Sequence, residues 1–152
     1  MRYYIDTEFN EFGGELLSLS LVSQDNESLY ITYTPTETLG DWVAVNVYPH
    51  MLSIPSPFPG TVKLNMDIKT GAEAIYRFFG TDNKPEIIAD WPDDIKYFCQ
   101  ALMTGPGEMV GLRYVTFRMI RGLEVWPNNL AGAVQHNAYW DAKALKEYCE
   151  KE

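Results

Sequence analysis

Apolar and polar residues alternate from the first position. Met1, Tyr3 and Ile5 fall on one face of a strand, and Asp6 and Glu8 fall together on the other. A second, strongly apolar strand is predicted over 15–23 and a third over 28–33. Phe12-Gly13-Gly14 and Gln24-Asp25-Asn26-Glu27 have turn chemistry, so these strands should form an antiparallel meander. The period then changes. Trp42, Val45 and Tyr48 stand at helical spacing within 38–52, with Pro49 marking the end, and the proline-rich stretch 53–60 reads as a surface loop. A further helix is expected over 67–79, with Ile68, Ala72, Ile75 and Phe79 on one face. Then come a short strand over 85–89, a helix over 92–103 opened by Pro92, a strand over 114–119 and a closing helix over 137–150. The order predicts an α/β domain with a mixed sheet, antiparallel at the start and parallel afterwards.

The acids change this picture from a fold to a candidate site. Asp6 and Glu8 on one strand face repel and raise each other's pKa unless a cation lies between them. Two hard oxygen ligands at a strand end suit a divalent ion such as Mg²⁺ or Mn²⁺. In the last helix Ala142, Leu145, Tyr148 and Cys149 make the inward stripe, and Asp141 shares that face. In the helix from Pro92, the stripe is Ile95, Phe98, Cys99 and Leu102, with Asp94 on its edge. Each acid opens a helix that follows a loop leaving a strand, where ligands sit in open α/β sheets. His136 lies just ahead of Asp141, a position suited to a general base with a pKa near neutrality. His50, after Pro49, reads as structural.

At 152 residues, with 46% apolar and 14% aromatic content, the chain suits one globular domain, 1–152, with a core of its own. No apolar run is long enough to span a membrane, and the N-terminus lacks a basic-then-apolar signal pattern. Cys99 and Cys149 fall on apolar stripes and read as reduced core thiols, which makes the cytoplasm the expected location. A net charge of −9 argues against a nucleic-acid binder that works by neutralising phosphates. It leaves open an acidic pocket whose sign is inverted by bound divalent cations.

Taken in order, Asp6-x-Glu8 on the first strand, an Asp opening a middle helix and His136-x-x-x-x-Asp141 near the end resemble the DEDDh 3′–5′ exonucleases. These are ribonuclease H-like nucleases that include ribonuclease T, oligoribonuclease and polymerase proofreading subunits. Tyr3-Tyr4-Ile5-Asp6-Thr7-Glu8-Phe9 and the Trp-Val-rich helix look most like the compact, mycobacterial-type exoribonuclease branch. The resemblance implies a ribonuclease H-like fold in which Asp6, Glu8, Asp94 and Asp141 hold two Mg²⁺ or Mn²⁺ ions and His136 accepts a proton from water. The reaction implied is release of 5′-monophosphates from the 3′ end of single-stranded RNA or DNA. The middle motif departs from the family pattern: Asp90 stands where relatives often carry Asn, so Asp90 is a rival to Asp94 as ligand, and Asp93 reads as a helix cap. Phe9 and Trp91 are candidates for stacking on the terminal base, and Arg113, Arg118 and Arg121 for backbone phosphates or ordinary surface charge. Relatives are often homodimers, and no membrane partner is implied. Two alternatives keep the site: a hydrolase of short oligonucleotides or nucleotide derivatives, and a silent nucleic-acid-binding module.

Overall fold

A computed structural model of the protein describes residues 1–121 and 129–151. Strand β1 (Arg2–Phe9) is followed antiparallel by β2 (Leu16–Ser23) and β3 (Ser28–Tyr33). The β1–β2 turn needs glycine: a Cβ at Gly14 would lie 1.6 Å from the Asn10 carbonyl oxygen. Helix α1 (Asp41–Asn46) comes next, then β4 (Gly60–Met66), α2 (Ile68–Phe79), β5 (Glu86–Ala89) and α3 (Pro92–Ala101). A small hairpin, β6 (Met103–Gly105) and β7 (Glu108–Met109), precedes β8 (Thr116–Met119) and α4 (Ala138–Glu150).

The main sheet has the order β4-β3-β2-β1-β5-β8, with β5 parallel to β1 and β8 parallel to β5. This is the mixed α/β sheet expected, and it is consistent with a ribonuclease H-like fold. Below the sheet, Tyr3, Ile5, Leu19, Leu21, Leu29 and Ile31 meet Ile75, Phe79 and Phe98 from α2 and α3. Fully burying such a side chain contributes roughly 1.5–3 kcal/mol before entropic costs. Above it, α4 packs on Val22 and Tyr30 through Ala138, Tyr139 and Ala142, and on Tyr4 and Ile88 through Leu145. The start of α4 is tied to the segment after α1, where Asn137 Nδ2 donates to the His50 carbonyl at 2.8 Å and Trp140 Nε1 to that of Ser53 at 2.7 Å. Among the described residues, no helix is long and apolar enough to cross a membrane.

Several expectations are corrected. The helix predicted over 38–52 is only six residues of α1 followed by a 3₁₀ turn, Tyr48–His50. Its buried stripe is Val43, Val47 and Met51, while Trp42, Val45 and Tyr48 face outward. Strand β4 was not predicted, because it is an edge strand with most positions exposed and carries little apolar signal. Met1 is exposed rather than buried with Tyr3 and Ile5, and Cys99 is exposed rather than a core thiol. Asp93 does not cap α3. Trp91 holds the N-cap position, and Asp93 Oδ2 instead accepts a hydrogen bond from Trp91 Nε1 at 3.1 Å.

Candidate metal centre

The alternation of β1 sends Asp6 and Glu8 to the α4 side, opposite the main core. Their cross-strand neighbours on β2 are Ser20 and Ser18. Small side chains there leave room above the acids that leucine would fill. The Ser-Leu-Ser-Leu alternation of β2 is the sequence signal for this arrangement.

Three further acids arrive from the neighbouring elements. Strand β5 pairs with β1 only from Arg2 to Tyr4, so the next stretch of that β1 edge lacks a strand partner. An unpaired buried N–H is costly, and here a side chain satisfies it. Asp94 Oδ1 accepts from the Thr7 backbone N–H at 3.0 Å and from Thr7 Oγ1 at 2.6 Å. These bonds fix Asp94 in the first turn of α3, against β1. Asp90 sits immediately beyond the end of β5. Asp141 lies in the first turn of α4, whose N-cap Asn137 accepts from the backbone N–H of Tyr139 at 3.0 Å and of Trp140 at 3.4 Å.

The acids converge in two groups that share one residue. Ligand oxygens of Asp6, Glu8 and Asp141 lie within 4.8 Å of one another, and so do those of Asp6, Asp90 and Asp94. Asp90 and Asp94, rivals in the sequence, therefore both reach Asp6. Burial, and then the charges of Asp94, Asp141, Glu8 and Asp90, hold the Asp6 carboxyl well above the usual range. Burial and the neighbouring Asp141 and Asp94 push Glu8 up to about 9. Burial raises Asp141 to about 7, and it raises Asp94 to about 7 against the opposing pull of the Thr7 hydrogen bonds. Asp90 is raised too, chiefly by burial.

The chemistry of this set fits divalent cations. Asp6 Oδ2 is shielded from solvent and has no hydrogen-bond partner, an orphaned acceptor of the kind a cation satisfies. None of the ion pairs among the described residues, Met1–Asp82, Arg118–Glu86 and Lys146–Glu150, involves the cluster. All donors are hard carboxylate oxygens, as Mg²⁺ and Mn²⁺ prefer.

His136 belongs to neither group of acids. Its backbone N–H draws the pKa of the Asp141 carboxyl down against the effect of burial. Its φ of 64° places it in the left-handed region, and its ring packs edge-on against Trp42 at a centroid distance of 5.2 Å. Burial, and then the neighbouring His50, hold its pKa below the ordinary imidazole value, which favours the neutral form. Trp42 was missed as a neighbour of the site because its spacing suggested a core position.

The stacking candidates differ. Phe9 is half-buried and stacks on Tyr97 at 4.5 Å, so one ring face is already covered. Trp91 is 50% exposed, and the Arg121 guanidinium lies 4.8 Å from its ring centroid. Arg121 also donates from Nη1 to the Asp90 carbonyl at 2.9 Å, which puts this arginine at the rim of the acid cluster. Arg118 pairs with Glu86 at the opposite end of β5, and Arg113 lies over Tyr114.

Compared with known proteins, the chain matches no family model and no curated protein sequence.

Proposed function

We propose that this protein is a metal-dependent 3′–5′ exonuclease of the DEDDh type, acting on the 3′ end of single-stranded RNA or DNA. The observation that carries the reading is the sharing of Asp6, with its orphaned oxygen, between two groups of carboxylates drawn from β1, α3, α4 and the end of β5. Asp6, Glu8, Asp94 and Asp141 would hold two Mg²⁺ or Mn²⁺ ions. Such ions, when bound, supply a water of lowered pKa and positive charge for the leaving 3′-oxygen. His136, whose neutral form burial favours, would serve as the proton acceptor for the attacking water. Trp91 offers its half-exposed ring to the terminal base, and stacking of this kind tolerates any base. The low density of positive charge suits engagement of a chain end through the site rather than a long electrostatic track.

The test is digestion of 3′-labelled single-stranded RNA and DNA in Mn²⁺, with substrates of several lengths. Native protein should release labelled mononucleotide, and Asp6→Ala should release none. Equal digestion by both proteins would remove the assignment. Cleavage confined to the shortest substrates would redirect it to a hydrolase of short oligonucleotides.

A further inference from the structure

Asp90 lies one residue beyond β5, and an oxygen of its carboxylate is within 4.8 Å of ligand oxygens from both Asp6 and Asp94. We propose that Asp90 is itself a metal ligand, completing a second divalent-cation site with Asp6 and Asp94 that fills before any nucleic acid binds. This inference rests on the metal-centre reading above and specifies where the second ion finds its protein ligands.

Three observations support it. Asp94 Oδ1 is taken by two donors from Thr7, which leaves its other oxygen available to a ligand. Asp6 Oδ2, on the residue common to both groups, is buried without a donor. Arg121, the cation that bears on Asp90, gives its N–H to the Asp90 carbonyl and lays its guanidinium over Trp91 instead of forming an ion pair with the carboxylate.

Charge decides between one ion and two. Asp6, Glu8, Asp90, Asp94 and Asp141 carry five negative charges when ionised. One divalent ion leaves three of them uncompensated in a buried site, whereas two ions leave one. A site with three protein carboxylates also needs no substrate phosphate to complete a stable ligand set, because waters can fill the remaining positions of an octahedral ion.

The experiment is calorimetric titration of the full chain with MnCl₂ in the absence of nucleic acid. Native protein should bind two ions per chain, and Asp90→Asn one. Glu8→Gln should also bind one, by weakening the other group, and the double variant Glu8→Gln/Asp90→Asn should bind none. Thermal melting of each variant checks folding. Should Asp90→Asn be unfolded, Asp90→Ser replaces it and carries the same expectation. One ion in the native chain, or two in a folded Asp90→Asn variant, overturns the proposal. A single ion combined with Mn²⁺-dependent release of 3′-label overturns only the Asp90 site and leaves the nuclease reading standing. No bound ion and no cleavage removes both.

Discussion

On one face of β1, Tyr3 and Ile5 pack with Ile75, Phe79 and Phe98 in the main core. On the other, Tyr4 packs against Ile88 and Leu145, but one turn of the pleat later the surface becomes Asp6 and Glu8. Both faces are covered by helices, though Asp6 and Glu8 are only partly buried where Tyr3, Ile5 and Thr7 are fully so. Chemistry separates them further. The first face lowers the free energy of folding through apolar burial. The second gathers carboxylates that burial penalises, and the proposed cations would supply the counter-charge that offsets this cost.

The sharpest way to break this comparison is Asp6→Asn. Digestion should drop to background, while the metal-free variant should melt at a higher temperature than native protein, because an isosteric amide escapes the desolvation and repulsion acting on the carboxylate. A lower melting temperature in EDTA would show that Asp6 serves the fold rather than the site. His136→Asn comes next. Asparagine tolerates the left-handed backbone at φ 64° better than most residues, so folding should be preserved. Cleavage should slow by ~10²–10⁴, the range for loss of a positioned proton acceptor. On the opposite face, Ile5→Ala should lower the unfolding free energy by about 2–5 kcal/mol in urea titration. Its Mn²⁺ stoichiometry per folded chain should be unchanged.

The pH dependence of the metal-free protein separates the two faces without mutation. Glu8 is raised to about 9, Asp94 and Asp141 to about 7, and Asp6 also lies above its ordinary value. Unfolded carboxyls titrate near 4, so between roughly pH 4 and these higher values the folded state binds more protons. Stability therefore falls as pH rises through this window. Melting in EDTA should show a decline from about pH 5 to about pH 9, and excess Mg²⁺ should flatten it. The ionisable groups of the main core are tyrosines, which titrate near 10 when unfolded, so the core adds little to the slope below pH 9. A metal-free melting temperature that climbs across the same interval would contradict the arrangement.

Much of this was legible because period two and period 3.6 are strong signals where one face is buried. The strands β1 to β3, the helices α2 and α4 and the inward acids Asp94 and Asp141 all followed from alternation or stripe position. Where burial is weak, the signal fades. Strand β4 is exposed along most of its length, and only its pairing with β3 makes it a strand. In α1 and the 3₁₀ turn that follows it, the large Trp42 and Tyr48 outweighed the smaller Val43 and Val47, although the latter pair is buried. Trp42 is one of the residues that border the site, so its exposure breaks the core rule at a place where function would be expected to break it. The joint approach of Asp90 and Asp94 to Asp6 was not readable either. The motif pattern sets Asp90 and Asp94 against each other as rivals, whereas the end of β5 and the first turn of α3 bring both within reach.

Thr7 offers the finest test, because it lies between the two acids of β1 and belongs to the opposite face. Its hydroxyl and its N–H both hold Asp94 Oδ1. Thr7→Val keeps the shape and the N–H but deletes the hydroxyl. Losing one buried hydrogen bond of this kind costs about 1 kcal/mol of stability, so the fold should survive. Asp94 would then be oriented by a single donor, and Mn²⁺ affinity should weaken ~10-fold, as when a ligand's supporting partner is removed. Calorimetry and urea unfolding on the same samples read both effects. Unchanged affinity together with a measurable stability loss would place Thr7 wholly with the core. A loss of affinity would make this residue the mechanical link through which the apolar face of the strand positions the acidic one.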